Sequence, residues 1–136
     1  MPFTIDITVR FAHVDAAAIV FYPRYLEMVN ETVERWFDEA LGVSFRELHL
    51  TRRHGTPTKR LAVDFLKPSM LGDKLTFSLR VAKIGRSSFD LDIACLCQGE
   101  TRFTAAAILV YTSFDPIAPA PLPDDLRARM TAFIDG

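Results

Sequence analysis

Residues 13–25 read HVDAAAIVFYPRY and join the two parts of the chain whose patterns are clearest. Before this stretch, residues 3 to 11 alternate, which predicts a half-buried strand with one apolar face formed by Phe3, Ile5, Ile7, Val9 and Phe11. Within the stretch the alternation stops, and a lone acid, Asp15, precedes the apolar run 16–21, so we expect a buried loop. Pro23 favours the first turn of a helix, because its missing N–H would be unpaired there anyway.

The helix predicted after this proline is the longest element of the chain. From Arg24 to about Leu41 apolar residues recur at helical spacing, and Gly42 stands in the usual helix-ending position. About 18 helical residues rise roughly 27 Å, comparable with a strand of about eight residues. We therefore expect one helix that covers a sheet almost from end to end.

Four more strands follow the helix, after a short helix or loop over residues 44 to 54. Alternation returns at Leu61, Val63 and Phe65, then over 75–81 and 89–97, and a last strand runs from Thr101 to Phe114. This last strand is apolar on both faces, which favours a central position with both faces covered. The tail leads to a short helix near Asp124 to Ile134. This order predicts an α+β fold with an antiparallel sheet, whose exposed edges favour a dimer that continues the sheet.

The composition predicts one domain over residues 1–136. Hydrophobic residues make up 49% of the chain and the net charge is −1, so no basic field is present that would attract nucleic acid or a membrane surface. Neither a signal-like N-terminus nor a run of 18 apolar residues is present, and we expect a cytoplasmic protein. Cys95 and Cys97, two apart on a strand and without a nearby His, are predicted to be core residues and to form neither a disulfide nor a metal site.

Residues 13–25 resemble the signature of the 4-hydroxybenzoyl-CoA thioesterase family. The match rests on Asp15, Ile19-Val20, Tyr22-Pro23 and Tyr25, and residues 55–57 and 63–75 also resemble the family. The resemblance covers most of the chain. It implies a hot-dog fold, in which an antiparallel β-sheet wraps around one long central α-helix. It also implies homodimers with two sites at the subunit interface, and often homotetramers.

The resemblance implies hydrolysis of an acyl-CoA thioester, with Asp15 and Tyr22 as the catalytic residues. Such a hydrolase needs a carboxylate that attacks the carbonyl or activates water, and donors for the developing oxyanion. In the family, the backbone N–H matching that of Tyr22 polarises the carbonyl at the positive end of the helix. No cofactor is required, since coenzyme A is part of the substrate. From spacing alone, Asp15 is also explained as a turn cap.

Five further residues are expected to contact the substrate: Phe21, Asn30, Thr56, Arg86 and Ser87. Asn30 lies on the helix's apolar stripe, where the 4-hydroxybenzoyl enzymes have an aspartate that receives the phenolic hydroxyl; a buried structural amide is the alternative. Thr56 and Phe21 match acyl-site positions, or else are packing residues. Arg86 falls where the family binds phosphate and Ser87 replaces a basic residue, although an Arg in a hairpin is often simply solvated.

The compact pocket suggested by Phe21, Asn30 and Phe45 favours aromatic or short- to medium-chain acyl groups. Ala18 departs from the glycine usual in the family, so the loop conformation is expected to differ slightly. His49 and His54 lack ligand spacing and are interpreted as structural. The alternative function is a non-catalytic protein that binds acyl-CoA or acyl-carrier protein, in which Asp15 only shapes the loop.

Overall fold

The chain forms eight strands and two α-helices within residues 1–134, the part that this computed structural model describes. The strands are β1 (Phe3–Thr8), β2 (His54–Gly55), β3 (Thr58–Phe65), β4 (Lys74–Ile84), β5 (Ser88–Cys97), β6 (Glu100–Val110), β7 (Thr112–Phe114) and β8 (Ile117–Pro119). The α-helices are α1 (Tyr22–Glu39) and α2 (Asp124–Thr131), and shorter helical turns are the 3₁₀ turn Phe11–His13 and the π-helical turn Glu47–Thr51.

Five strands form the main sheet in the order β1-β4-β5-β6-β3, and every neighbouring pair is antiparallel. The strands β4, β5 and β6 follow one another as a meander, as the sequence predicts, and β1 and β3 form the two edges. A second sheet, in the order β2-β7-β8, begins just past the end of β6. The predicted α+β architecture with an antiparallel sheet is therefore confirmed.

Helix α1 packs its apolar stripe on the inner face of the main sheet. Trp36 and Phe37 are fully buried, and both rings lie 6.3 Å from the ring of Phe89 on β5. Nearer the start of the helix, the rings of Tyr25 and Phe103 on β6 are 4.7 Å apart. Replacing such a buried ring with alanine costs about 3–5 kcal/mol. The predicted long helix is confirmed, and its packing fixes where its first residue lies.

The first strand is shorter than its alternation predicts. After β1 the backbone joins the turn before β4, where Val9 N–H donates to the Asp73 carbonyl at 2.8 Å. Arg10 N–H then donates to Nδ1 of His13 at 2.8 Å, which closes the 3₁₀ turn. The prediction that Phe11 faces the core is therefore wrong, and this side chain is 83% exposed.

The outer face of the main sheet is open, which corrects the predicted burial of the last strand on both faces. Strand β6 lies next to the edge, and it stops at Val110 because the chain there turns into the second sheet. On its outer face Ala106 is exposed. With Ala62 of β3 it lines a shallow depression of about 300 Å³ that Arg80 and Asp92 also border. An apolar outer face predicts that other residues pack against it, but the described part of this chain leaves Ala62 and Ala106 accessible.

Strand β3 presents an apolar edge. Leu61, Val63 and Phe65 pair with Ala107, Ala105 and Phe103 of β6, so they face the inner side as predicted. They are nevertheless poorly covered, and Leu61 and Phe65 are 39% and 50% exposed. No strand of the described chain pairs with the outer edge of β3. Such an edge favours pairing with another strand.

Cys95 and Cys97 are buried in the core, as predicted, and both are free thiols. Burial raises the pKa of the Cys95 thiol to about 12, so it is protonated at neutral pH. Neither α-helix of the described chain is both long and apolar enough to cross a membrane.

Candidate active site

The loop that carries Asp15 is a short β-ribbon with a tight tip. Val14 and Val20 form an antiparallel bridge, and Asp15 N–H donates to the Ile19 carbonyl at 2.9 Å. At the tip, Ala18 has a φ of 60°, in the left-handed region that favours glycine. The family's usual glycine fits this conformation, which costs alanine about 1–2 kcal/mol.

Asp15 itself is exposed in a single copy of the chain, so the prediction of a buried loop is wrong. Its Oδ1 accepts hydrogen bonds from Ala17 N–H at 2.9 Å and from Ile19 N–H at 3.4 Å. The side chain therefore does cap its own turn. Oδ2 accepts no hydrogen bond from residues 1–134, so one oxygen fixes the carboxylate while the other remains available for chemistry.

The base of the ribbon is the start of α1. Phe21 N–H donates to the His13 carbonyl, and Arg24 N–H donates to the Phe21 carbonyl, both at 2.9 Å. Tyr22 N–H finds no acceptor anywhere in the described part of the chain, and Pro23 has no N–H. Tyr22 therefore supplies an unpaired donor at the positive end of the helix. In the ribbon Asp15 lies opposite Ile19, three residues before Tyr22, which is about 10 Å along the strand direction.

The side chains around the helix tip form a shallow apolar cleft. The Tyr22 ring is 59% exposed and meets the ring of Phe65 edge-on at 6.2 Å. A cleft of about 280 Å³ lies between these two residues. Phe21 is also exposed, with its ring 5.6 Å from that of Tyr22. The hydroxyl oxygen of Tyr25 accepts the Ser69 N–H at 3.1 Å, and burial raises the pKa of Tyr25, which keeps it neutral.

A larger cavity, of about 450 Å³, contains two of the predicted substrate residues, Asn30 and Thr56. Its lining also includes Val33, Glu34, Phe45, His49, Gly55, Pro57, Leu109, Thr112, Phe114 and Ile117. The prediction that Asn30 lies on the buried stripe is wrong, because its side chain is exposed at the border of that stripe. There the amide faces the cavity and needs no partner inside the protein.

Arg86 and Ser87 lie in the turn between β4 and β5, and the backbone of this turn is firmly held. The Arg86 carbonyl accepts Leu122 N–H at 2.9 Å, and the Ser87 carbonyl accepts Tyr111 N–H at 2.8 Å. The Arg127 guanidinium donates to the Gly85 carbonyl at 2.7 Å. Arg86 is exposed and pairs with no acid of residues 1–134, so its charge is available to a ligand.

These residues fall into two groups at opposite ends of the main sheet. Ser88 pairs with Val110, whose N–H donates to the Pro57 carbonyl at 3.0 Å, so the Arg86 turn and the larger cavity share one end. We call it the cavity end. Asp15 and Tyr22 lie at the other end, the helix-tip end. The eight residues of β3 span about 23 Å between the two, so one copy does not bring Asp15 to the cavity.

Most of the aromatic wall of this cavity was not predicted from the sequence. The His49 ring lies 5.0 Å from that of Phe45 and 5.7 Å from that of Phe114. A Cβ on Gly55 would come within 2.8 Å of the Phe114 ring, so the absence of a side chain there makes room for these rings. The four-residue spacing of Phe45 and His49 could have indicated that their rings are neighbours, since residues so spaced share a face of a helical turn.

A long helix laid on an antiparallel sheet is the arrangement of the hot-dog fold, and this chain is a thioester hydrolase of that fold. Residues 9–130 match the Thioesterase-like superfamily, and the chain belongs to that family. The fold and enzyme class predicted from the sequence are therefore confirmed. The 4-hydroxybenzoyl branch stays a prediction.

Two relatives are named 1,4-dihydroxy-2-naphthoyl-CoA hydrolase. The one from Acaryochloris marina is 32% identical over 88% of this chain and 88% of the relative. The one from Nostoc punctiforme is 35% identical over 67% of this chain, a match that spans 61% of the relative. A solved gentisyl-coenzyme A thioesterase is 26% identical with a TM-score of 0.84, over 92% of this chain and 99% of that one.

Proposed function

We propose that this protein hydrolyses an aromatic acyl-CoA thioester, with Asp15 as the catalytic carboxylate and Tyr22 N–H as the oxyanion donor. One observation carries the proposal. The Asp15 carboxylate, which uses only Oδ1 in hydrogen bonds, and the unpaired Tyr22 N–H lie on one hydrogen-bonded ribbon. The names of the relatives support an aromatic acyl group attached to coenzyme A. The 450 Å³ cavity, walled by Phe45 and Phe114, suits a flat ring.

The chemistry follows from these two groups. Asp15 either deprotonates a water that adds to the thioester carbonyl, or adds directly to give an anhydride that water then cleaves. In both routes the C–S bond breaks, coenzyme A leaves as its thiol, and the acyl group becomes a carboxylic acid. Tyr22 N–H stabilises the negative charge on the carbonyl oxygen, assisted by the helix dipole. Neither route requires a cofactor.

A second copy of the chain completes the site. If two β3 edges pair antiparallel about a twofold axis, the start of one β3 lies beside the end of the other. The helix-tip end of one copy then adjoins the cavity end of its partner, and Asp15 and Tyr22 meet Asn30 and Thr56. The same pairing covers the exposed Leu61 and Phe65 and removes Asp15 from bulk water, which strengthens its interactions with the substrate.

Coenzyme A requires cations near the mouth of the site. Arg86 provides one on a turn whose backbone is fixed, and the Ser87 hydroxyl offers a neutral donor beside it. Phe21, exposed beside the helix tip, is available to line the acyl or pantetheine path. The open outer face around Ala106 offers a surface on which two dimers would pack as a homotetramer.

The experiment is a panel of thioesters assayed by release of free thiol. The panel contains benzoyl-CoA, hydroxybenzoyl-CoA isomers, 1,4-dihydroxy-2-naphthoyl-CoA and short- and medium-chain fatty acyl-CoAs. We expect turnover of aromatic members, and a loss of about 10²- to 10⁴-fold in kcat for Asp15→Asn. The asparagine oxygen still accepts the two turn hydrogen bonds, so the fold is retained.

The matched control is Asp64→Asn, which neutralises an exposed acid on the outer side of β3 and should leave kcat unchanged. Full activity of Asp15→Asn, or no turnover of any thioester, would contradict the proposal. Binding of an aromatic acyl-CoA without cleavage, measured by calorimetry, would instead favour a non-catalytic binding protein.

A further inference from the structure

His49 carries an unused hydrogen-bond acceptor in the large cavity. It lies in the π-helical turn Glu47–Thr51, a rare geometry that is frequent at functional sites. Its Nδ1 is 2.7 Å from the carbonyl oxygen of Phe45. A carbonyl oxygen only accepts, so Nδ1 must carry the proton, and in the neutral ring Nε2 then bears the lone pair.

The backbone next to Nε2 provides no hydrogen-bond donor to this nitrogen. A Cβ placed on Gly55 would be 3.3 Å from Nε2, so the nitrogen sits over a residue without a side chain. No N–H or O–H of residues 1–134 donates to Nε2. The ring is held in this orientation by its bond to the Phe45 carbonyl and by the two flanking phenyl rings.

Other polar groups line the cavity, and Asn30, Glu34 and Thr56 also offer hydrogen-bond acceptors there. The Thr112 hydroxyl donates to the Val110 carbonyl at 2.8 Å, so its proton is engaged, and Pro57 has no N–H. The rings of Phe45 and Phe114 flank His49, so Nε2 is the acceptor held within the aromatic part of the wall. A polar group of a ligand that enters this part of the cavity therefore finds Nε2 as a positioned acceptor.

We propose that His49 determines substrate specificity by accepting, at Nε2, a hydrogen bond from a hydroxyl on the aromatic ring of the acyl group. The inference rests on the proposed function and adds to it the residue that would recognise a ring hydroxyl, a group that the substrates named for the relatives carry. A phenolic hydroxyl buried without an acceptor is strongly disfavoured, and a buried acceptor without a donor is disfavoured as well. His49 thus favours hydroxylated acyl groups over unsubstituted ones.

The test compares benzoyl-CoA with the 2-, 3- and 4-hydroxybenzoyl-CoA isomers, and 2-naphthoyl-CoA with 1,4-dihydroxy-2-naphthoyl-CoA. For the wild type we expect kcat/KM to be about fivefold to tenfold higher for a hydroxylated member than for its parent, as one neutral hydrogen bond provides. In His49→Phe, which keeps a flat ring, this ratio should fall to about one. The measured quantity is this ratio, because a general loss of activity in the variant lowers kcat/KM for both members of a pair alike.

Two further variants separate this role from a structural one. His49→Gln presents a side-chain carbonyl oxygen as an acceptor and should restore part of the preference. His54→Phe is the matched control, because His54 stacks on Tyr111 at 4.8 Å, lies outside the cavity and bonds the Arg52 carbonyl through its own Nδ1. It should leave the preference at the wild-type value.

A preference that is unchanged in His49→Phe overturns the inference. So does an equal loss of kcat/KM for hydroxylated and unsubstituted substrates in both His49 variants, since that result indicates damage to the fold. These outcomes are distinct from failure of the proposed function, in which the wild type itself hydrolyses none of the aromatic thioesters.

Discussion

The substitution Tyr22→Pro tests the proposed oxyanion donor, because it removes the backbone N–H of residue 22. Proline lacks the N–H, and the structure predicts that the fold tolerates the change. Tyr22 is the first residue of α1, where proline is favoured, and its N–H makes no hydrogen bond to the described residues. Phe21 already has the extended conformation that a residue before proline requires, with φ −71° and ψ 123°.

The expected loss is set by the strength of an oxyanion contact. Removing one such donor in a water-excluded site costs about 2.7–4 kcal/mol, which is a fall of roughly 10²- to 10³-fold in kcat. The Tyr22 ring contributes little to stability, because it is 59% exposed. The control is therefore Tyr22→Ala, which removes the same ring and its contact with Phe65 but keeps the N–H.

The assay measures kcat and KM by thiol release, together with the thermal unfolding midpoint of each variant. We expect Tyr22→Ala to retain kcat within about tenfold and Tyr22→Pro to fall well below it, with similar midpoints. Equal kcat values for the two folded variants would refute the assignment of the N–H. A decrease that appears only in KM would show that the N–H binds substrate without stabilising the transition state.

Two other predictions concern the edge strand and the thiols. Leu61→Lys places a charge on the apolar edge of β3 and should shift the protein from dimer toward monomer in light scattering, with activity lost in parallel. The control Lys59→Glu, on the same strand, should change neither the oligomeric state nor the activity greatly. A fully active monomer would contradict a shared site. Because burial raises the pKa of Cys95 to about 12, this thiol should resist alkylation at pH 8 until the protein unfolds. Mass spectrometry follows the labelling, and rapid labelling of the native protein would show the burial to be wrong.

The sequence predicted the elements whose pattern has one strong physical cause. The stripe on α1 and the alternation of β4 and β5 reflect burial on a single face, and both were placed correctly. Phe11 was misplaced because the Arg10 N–H donates to the His13 side chain, which ends the strand, and hydrophobic alternation does not register such a bond. The open face of β6 was misread because apolar residues predict a cover without saying which molecule provides it.

For the candidate site, the sequence predicted groups that lie close together along the chain, but not contacts between distant residues. Asp15 and Tyr22 lie on one ribbon, so a single stretch of sequence contains both. Asn30 was expected inside the stripe, yet a shift of a fraction of a turn places its amide at the cavity border. The spacing of the histidines favours a structural His49, and the role proposed for it depends on the Phe45 carbonyl and on Gly55, two relations that this spacing does not contain.

The length of β3 has a consequence for how the enzyme would behave in the cell. In the proposed dimer, the catalytic groups and the binding cavity of one polypeptide would serve different sites, because they lie about 23 Å apart along β3. Dilution below the dissociation constant would then switch activity off without unfolding anything. Two inactive mutants, one damaged at each end, would recover one working centre when they are mixed and allowed to exchange subunits.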